Sequence, residues 1–440
     1  MNFYLPEKRS ELISRLTGRV PHGVMGDMSG NDNEIDVKTA RELWNNIEMV
    51  SERRTIYLHI PFCVKRCKFC GFYKNRTTTH DLSQYTDYLL RELEMVADKP
   101  VASGTFNTVY FGGGTPTDLS AGDLERLIRA IHDKIKLADD VEFTVEGRLF
   151  GFDDDKVRAC LDAGATRFSF GVQTFHTERR QALGRIQSRK KLLERLERIK
   201  RIGGDRACTV IDLIYGLPGQ SLEEWLDDIR TAHEETLLDG IDLYLLKMLP
   251  GAPLTTTFGD VPWSDEELME RQAKAGEYLL AQDWRRLSIT HWSRGTLERN
   301  RYNHQTKTGG EMLPLGCGAG GSAGGYSFMQ MMPLDEYKAQ IDAGHKPIGM
   351  VRKVQPRPLN SKVTDQMERG FFNPTDFAIR CERLADNWRD AGVWTRVEEG
   401  ALRLTKIGQF YQPRLNNMLA AYLSKGGDDG PFGAAKEQGK

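Results

Sequence analysis

The 440 residues leave room for two or three domains with a sizeable core, and the charge is balanced, 61 Lys and Arg against 62 Asp and Glu. No basic stripe points to nucleic acid, no polybasic arm points to a membrane surface, and no apolar run reaches spanning length; the nearest, Ile241 to Leu254, is broken by Lys247, Pro250 and Gly251. Met1 to Arg15 is mixed and charged, unlike a signal peptide, and seven cysteines, an odd number, fit a reducing compartment, so a cytoplasmic protein is expected.

Residues 1–50 read as an N-terminal arm with one helix near Thr39 to Met49, and they include the polar run Gly30-Asn31-Asp32-Asn33. From Thr55 the pattern becomes regular. Strands are expected at Thr55–Ile60, Thr108–Phe111, Val141–Glu146, Arg167–Val172, Ala207–Leu213 and Ile241–Leu246. Helical periodicity fills the gaps: Tyr85, Leu89, Leu93 and Val96 share one stripe, and Leu124, Leu127, Ile128 and Ile131 share the next. Asp153–Ala163 ends at Gly164, Lys190–Arg201 carries a basic solvated face, and Ser221 with Glu224 forms a capping box. Near-continuous apolar strands alternating with helices make an α/β core of parallel βα units over 51–260, as an open sheet or a barrel. In either architecture ligands gather at the carboxyl ends of the strands.

Beyond Asp260 the alternation stops. Ser264–Gln282 reads as a capped helix, Leu287–Trp292 as a further strand, and Leu313 to Ser322 as a glycine-rich loop, so 261–355 is expected to extend the core. Residues 356–425 read as a smaller, partly helical, winged-helix-like module, and 426–440 as a disordered tail.

The chemistry concentrates after the first strand. Cys63, Cys67 and Cys70 are spaced C-x3-C-x2-C on a loop, where exposed thiols call for a ligand. Three thiolates suit a four-iron cluster with one iron left open; zinc with a remote fourth ligand, His59 or His80, is the competing reading. Gly112-Gly113-Gly114-Thr115 follows the second strand and lets backbone approach a ligand closely. Glu146, Gln173 and Asp212 lie at the ends of the third, fourth and fifth strands; buried carboxylates there need a partner, and three polar ends together suggest one convergent site. Arg185 suits a carboxylate, although Leu183-Gly184-Arg185-Ile186-Gln187 reads as a loop. Tyr57 and His59 share a face of the first strand. Cys160, Cys208 and Cys381 read as buried apolar residues, whereas Cys317, among glycines, reads as an iron ligand, a relay or an inert thiol.

Tyr57-x-His59-x-Pro61-Phe62-Cys63 through Cys70-Gly71-Phe72, taken whole, resembles the radical S-adenosylmethionine (SAM) superfamily, in the branch of oxygen-independent coproporphyrinogen III oxidases and haem chaperones. The resemblance implies an incomplete parallel (β/α)6 barrel. It also implies a [4Fe-4S] cluster on Cys63, Cys67 and Cys70, with SAM on the open iron. Gly112, Gly113, Gly114 and Thr115 would meet the methionine end of SAM; Glu146, Gln173, Arg185 and Asp212 would contact SAM elsewhere, and Tyr57 its methionine or the cluster loop. One-electron reduction would cleave the sulfonium to a 5′-deoxyadenosyl radical, with an electron donor such as flavodoxin or ferredoxin.

Within this branch, coproporphyrinogen oxidases carry a further cysteine where this chain has Phe72, and the haem chaperones end in His-Asn-x-x-Tyr-Trp, where this chain has Arg301-Tyr302-Asn303-His304-Gln305. The glycine-rich region and the Cys-Gly-Phe ending resemble most the haem-utilisation branch of anaerobic haem-degrading methyltransferases. That likeness implies haem or a related porphyrin as substrate and two molecules of SAM, one of them a carbon source. Ring opening to a linear tetrapyrrole and iron release would follow, with Tyr57, His59 and Cys317 as catalytic candidates.

Overall fold

Runs such as Thr-Ile-Tyr-Leu-His-Ile become strands because both of their faces can be buried between helices. The computed structural model describes residues 34–71, 75–259, 262–354, 358–397 and 400–431, with residues 12, 14 and 16. The chain divides into two units, Ser29–Pro262 with Trp292–Pro356, and Met1–Met28 with Trp263–His291 and Arg357–Lys440. Residues 263–291, read from sequence within the core extension, thus group with the C-terminal residues.

The larger unit is built on one sheet. In chain order its strands are β1 (Glu34–Ile35), β2 (Arg54–Ile60), β3 (Phe106–Gly113), β4 (Leu137–Gly147), β5 (Arg167–Gln173), β6 (Cys208–Tyr215), β7 (Gly240–Leu245), β8 (Glu311–Leu315), β9 (Gly320–Ala323), β10 (Tyr326–Gln330) and β11 (Ile348–Lys353). They lie in the order β1-β11-β10-β9-β8-β2-β3-β4-β5-β6-β7. From β2 to β7 neighbouring strands are consecutive and parallel, with His59 opposite Gly112 and Asp212 opposite Asp242. These six strands form the incomplete (β/α)6 barrel, and β8 joins the outer side of β2 in parallel. An antiparallel extension through β9, β10, β11 and β1 follows.

The connecting helices start where their caps say they should. Asp81, Ser120, Asp153, Ser188 and Ser221 each accept a backbone N–H of the following first turn, and Ser221 and Glu224 cap reciprocally. Gly164 closes helix Asp154–Ala163 in the left-handed conformation, φ 114°. On β2, Ile56, Leu58 and Ile60 are buried on one face while Tyr57 and His59 point to the other.

Leu313–Leu315 departs from the glycine-rich loop expected there: it is β8, paired with Ile56–Leu58, and Gly320–Ala323 is β9. A Cβ on Gly321 would lie 2.5 Å from the Met312 carbonyl and from the Pro314 ring, so this glycine serves close strand packing. At the amino end of the barrel Glu142 accepts the backbone N–H groups of Arg301 and Tyr302, both at 2.9 Å, and Arg167 pairs with Glu298 at 2.9 Å in full burial.

The smaller unit packs helices Asp265–Ala281, Pro358–Glu368, Glu382–Asp390 and Gln412–Ser424 with a three-stranded antiparallel sheet of Phe371–Phe372, Leu402–Leu404 and Trp394–Arg396. Its core includes Phe372, Trp388, Trp394 and Leu419, and the Trp394 indole donates to the Ala385 carbonyl at 2.7 Å. Of the tail, Gly427–Asp429 forms a 3-10 turn; Gly30 to Asn33, Phe72 and residues 432–440 lie outside the described residues.

Candidate active site

The cysteine loop leaves β2 and is pinned from two sides. The Lys68 N–H donates to the Leu183 carbonyl at 3.0 Å, and the Leu254 N–H donates to the Lys68 carbonyl at 2.8 Å. Phe69 packs against buried Leu183, Leu217, Leu246 and Leu254. On the other flank Asp118 accepts the Val64 N–H at 3.0 Å and is held by Arg148 at 2.9 Å, and Cys63 Sγ meets the Thr115 hydroxyl at 3.2 Å. Burial pushes the Cys63 thiol up to about 11, against the Thr115 hydrogen bond and the Arg148 charge.

The carboxyl ends of the strands meet this loop around a cleft of about 850 Å³. It is lined by Cys63, Cys67 and Cys70, by Gly113, Gly114 and Thr115 at and after the end of β3, by Glu146 and Gln173 at the ends of β4 and β5, and by Asp212 within β6. Arg185 completes it, from the segment that reads as a loop in the sequence. The neighbouring buried Arg180 staples that loop by donating to the Gln187 and Thr174 carbonyls, at 2.9 and 3.0 Å, and to the Val172 carbonyl. Arg185 lies over the Phe69 ring at 5.7 Å, and burial lowers its pKa against the pull of the cysteines.

Gln173 is the strained member. Its φ is 65° and the β5–β6 register shifts between Gly171 and Gln173, a bulge that re-aims the side chain. Its amide oxygen is buried without a hydrogen-bond partner among the described residues, as is the Arg185 Nε. Glu146 hydrogen-bonds the Tyr110 hydroxyl, and burial raises its carboxyl to about 7.

Several candidates sit beside the cleft without lining it. The Tyr57 hydroxyl meets His59 Nδ1 at 2.9 Å, and burial lowers His59 to about 4, which leaves it neutral at neutral pH. Below them Tyr57, Tyr110 and Tyr302 stack, with Tyr110 and Tyr302 4.0 Å apart, and form an aromatic floor. Gly112 turns its missing Cβ toward Tyr110 and Glu146, whereas a Cβ on Gly113 would lie 2.6 Å from the His59 ring. These two glycines are therefore also required by packing inside the protein. Cys317 is not brought to the cleft: 1% exposed, it donates its thiol to the Met332 carbonyl at 3.1 Å, and its N–H donates to Tyr85.

Sequence reasoning missed Asp118, Arg148 and Arg180, which hold the loops, and Tyr244, which lines the cleft from β7. Arg148, two residues past Glu146, was the one detectable signal.

The side chains present fit a cluster and SAM. All seven cysteines are free thiols, and three of them meet at one cleft. The unpartnered Gln173 oxygen and Arg185 Nε offer an acceptor and a donor to a polar ligand.

Residues 57–232 match the family model of the radical SAM superfamily. The chain is 39% identical to anaerobilin synthase of Escherichia coli O157:H7, over 83% of this chain and 84% of that protein. It is 28% identical to the heme chaperone HemW of Lactococcus lactis, over 66% of this chain and 75% of the chaperone. In fold it is similar to the coproporphyrinogen III oxidase of Escherichia coli, with a TM-score of 0.71 at 20% identity, covering 88% of this chain and 94% of that one.

Proposed function

The chain belongs to the radical SAM superfamily, within the anaerobilin synthase family, and from that premise we propose that it degrades haem without oxygen. The reaction transfers a carbon unit to the porphyrin, opens the ring to a linear tetrapyrrole and releases iron. One observation carries this reading: the 39% identity spans 84% of anaerobilin synthase and so includes far more than the superfamily core.

When bound, a [4Fe-4S] cluster supplies the electron that cleaves SAM. The protein's own share is positioning. Cys63, Cys67 and Cys70 would hold the cluster, Gly113, Gly114 and Thr115 would pass close to the methionine end of SAM, and Arg185 would take its carboxylate. Glu146, near neutral pKa, can ionise toward a cationic ligand, and Asp212 and Gln173 suit ribose hydroxyls. The stacked rings of Tyr57, Tyr110 and Tyr302 would place aromatic surface beside Glu146. A second SAM as carbon source and a low-potential donor such as flavodoxin or ferredoxin complete the proposal, in a reducing cytoplasm that suits seven free thiols. No helix among the described residues is long and apolar enough to cross a membrane.

Anaerobically reconstituted protein given SAM, reductant and haem tests the reading. Loss of the porphyrin absorption band together with deoxyadenosine and free iron supports it. Haem bound but intact assigns the chain a chaperone role, and no response to haem redirects attention to porphyrinogens.

A further inference from the structure

A second pocket, of about 640 Å³, opens beside the cleft and shares Lys65, Arg148, Gly171 and Arg185 with it. Its lining is unusual in two respects. Val64, Phe150 and Ile186 are 38%, 44% and 59% exposed, three large apolar side chains left facing solvent around one hollow. Such a cluster marks a ligand surface rather than scattered exposure. Around it stand the cations Lys65, Arg148, Arg180 and Arg185, and no carboxylate is among the described residues that line it. Arg148 is tied to Asp118 and Arg185 is assigned to the carboxylate of SAM, so Lys65 carries the charge left for a second anion.

A ligand for this pocket is apolar over a broad face and carries carboxylates. SAM itself is cationic at sulfur and has its groups met in the adjoining cleft. We propose that this pocket seats the tetrapyrrole, with the macrocycle edge on Val64, Phe150 and Ile186 and a propionate carboxylate at Lys65. This rests on the haem-degrading reading and adds where the substrate lies: across the wall of Arg185 and Gly171 from the cleft assigned to SAM. Proximity of that kind is what transfer from SAM to the ring requires.

The test uses the full-length, cluster-loaded protein under anaerobic conditions, titrated with haem, with metal-free protoporphyrin IX and with its dimethyl ester. Phe150→Asp and Ile186→Asp change exposed side chains, so folding should survive, as intact cluster absorbance and SAM affinity would report. Each is expected to weaken haem and protoporphyrin binding about tenfold or more. Lys65→Gln is expected to narrow the preference for free acid over ester. Parent-like affinity in both aspartate variants, in a protein that still consumes haem, overturns the pocket and leaves the function standing. A parent protein that neither binds nor consumes haem overturns both.

Discussion

Gln173 holds a left-handed backbone that glycine would adopt without strain, and its only evident return is the direction of its amide into the cleft. Gln173→Gly should therefore raise apo-protein stability by about 1 kcal/mol while weakening SAM binding about tenfold. Thermal unfolding and SAM titration on one preparation check the two signs. Glu146 makes a pH prediction. Its folded pKa, about 7, lies above the ordinary 4.5, so its contribution to apo stability is whole below 4.5 and fades as pH rises through 7. A cationic ligand favours the ionised form, so SAM affinity should rise between about pH 6 and about pH 8, and Glu146→Gln should flatten that rise. Cys63→Ala, Cys67→Ala or Cys70→Ala should each abolish the brown cluster absorbance and deoxyadenosine formation; SAM cleavage surviving in any one of them sinks the cluster assignment. At this scale the cysteines and strand-end carboxylates were legible because their type and spacing are local. Arg180 and Asp118 were not, since their work is to donate to or accept from backbone far along the chain.

Among the elements, the connection from β8 to β9 depends on a buried ion pair. Lys346 Nζ meets Glu92 at 2.5 Å on helix Leu82–Ala97, with side chains 5% and 0% exposed, and the same carboxylate accepts the Tyr337 hydroxyl and the Gly316 N–H. Glu92→Gln leaves an ammonium buried with weakened compensation and should cost about 3–5 kcal/mol in urea unfolding, and Glu92→Leu with Lys346→Met should not recover it, because the Gly316 N–H and the Tyr337 hydroxyl lose their acceptor. A loss below about 1 kcal/mol in the single variant would show that Lys346 escapes to water. Strands β2 to β7 could be read in advance because apolar runs bounded by caps carry their own signal. Strands β8 and β9 could not: Pro314 and the glycines argue for a loop, and only the packing of Gly321 against Met312 and Pro314 explains them.

For the whole molecule, sequence pattern left barrel and open sheet undecided because closure depends on which distant strands pair. The family resemblance supplied the barrel, and the consecutive parallel order of β2 to β7 bears it out. The grouping of 263–291 with the C-terminal residues was equally invisible, since a capped amphipathic helix does not announce its partner. The central claim is that this architecture moves carbon from SAM onto haem and opens the ring. Its most direct test is one anaerobic turnover with SAM labelled with carbon-13 at the methyl group, followed by mass spectrometry of the tetrapyrrole. The account predicts an iron-free, ring-opened product that has gained the labelled carbon; haem recovered at its original mass, or a ring-opened product without the label, would contradict it.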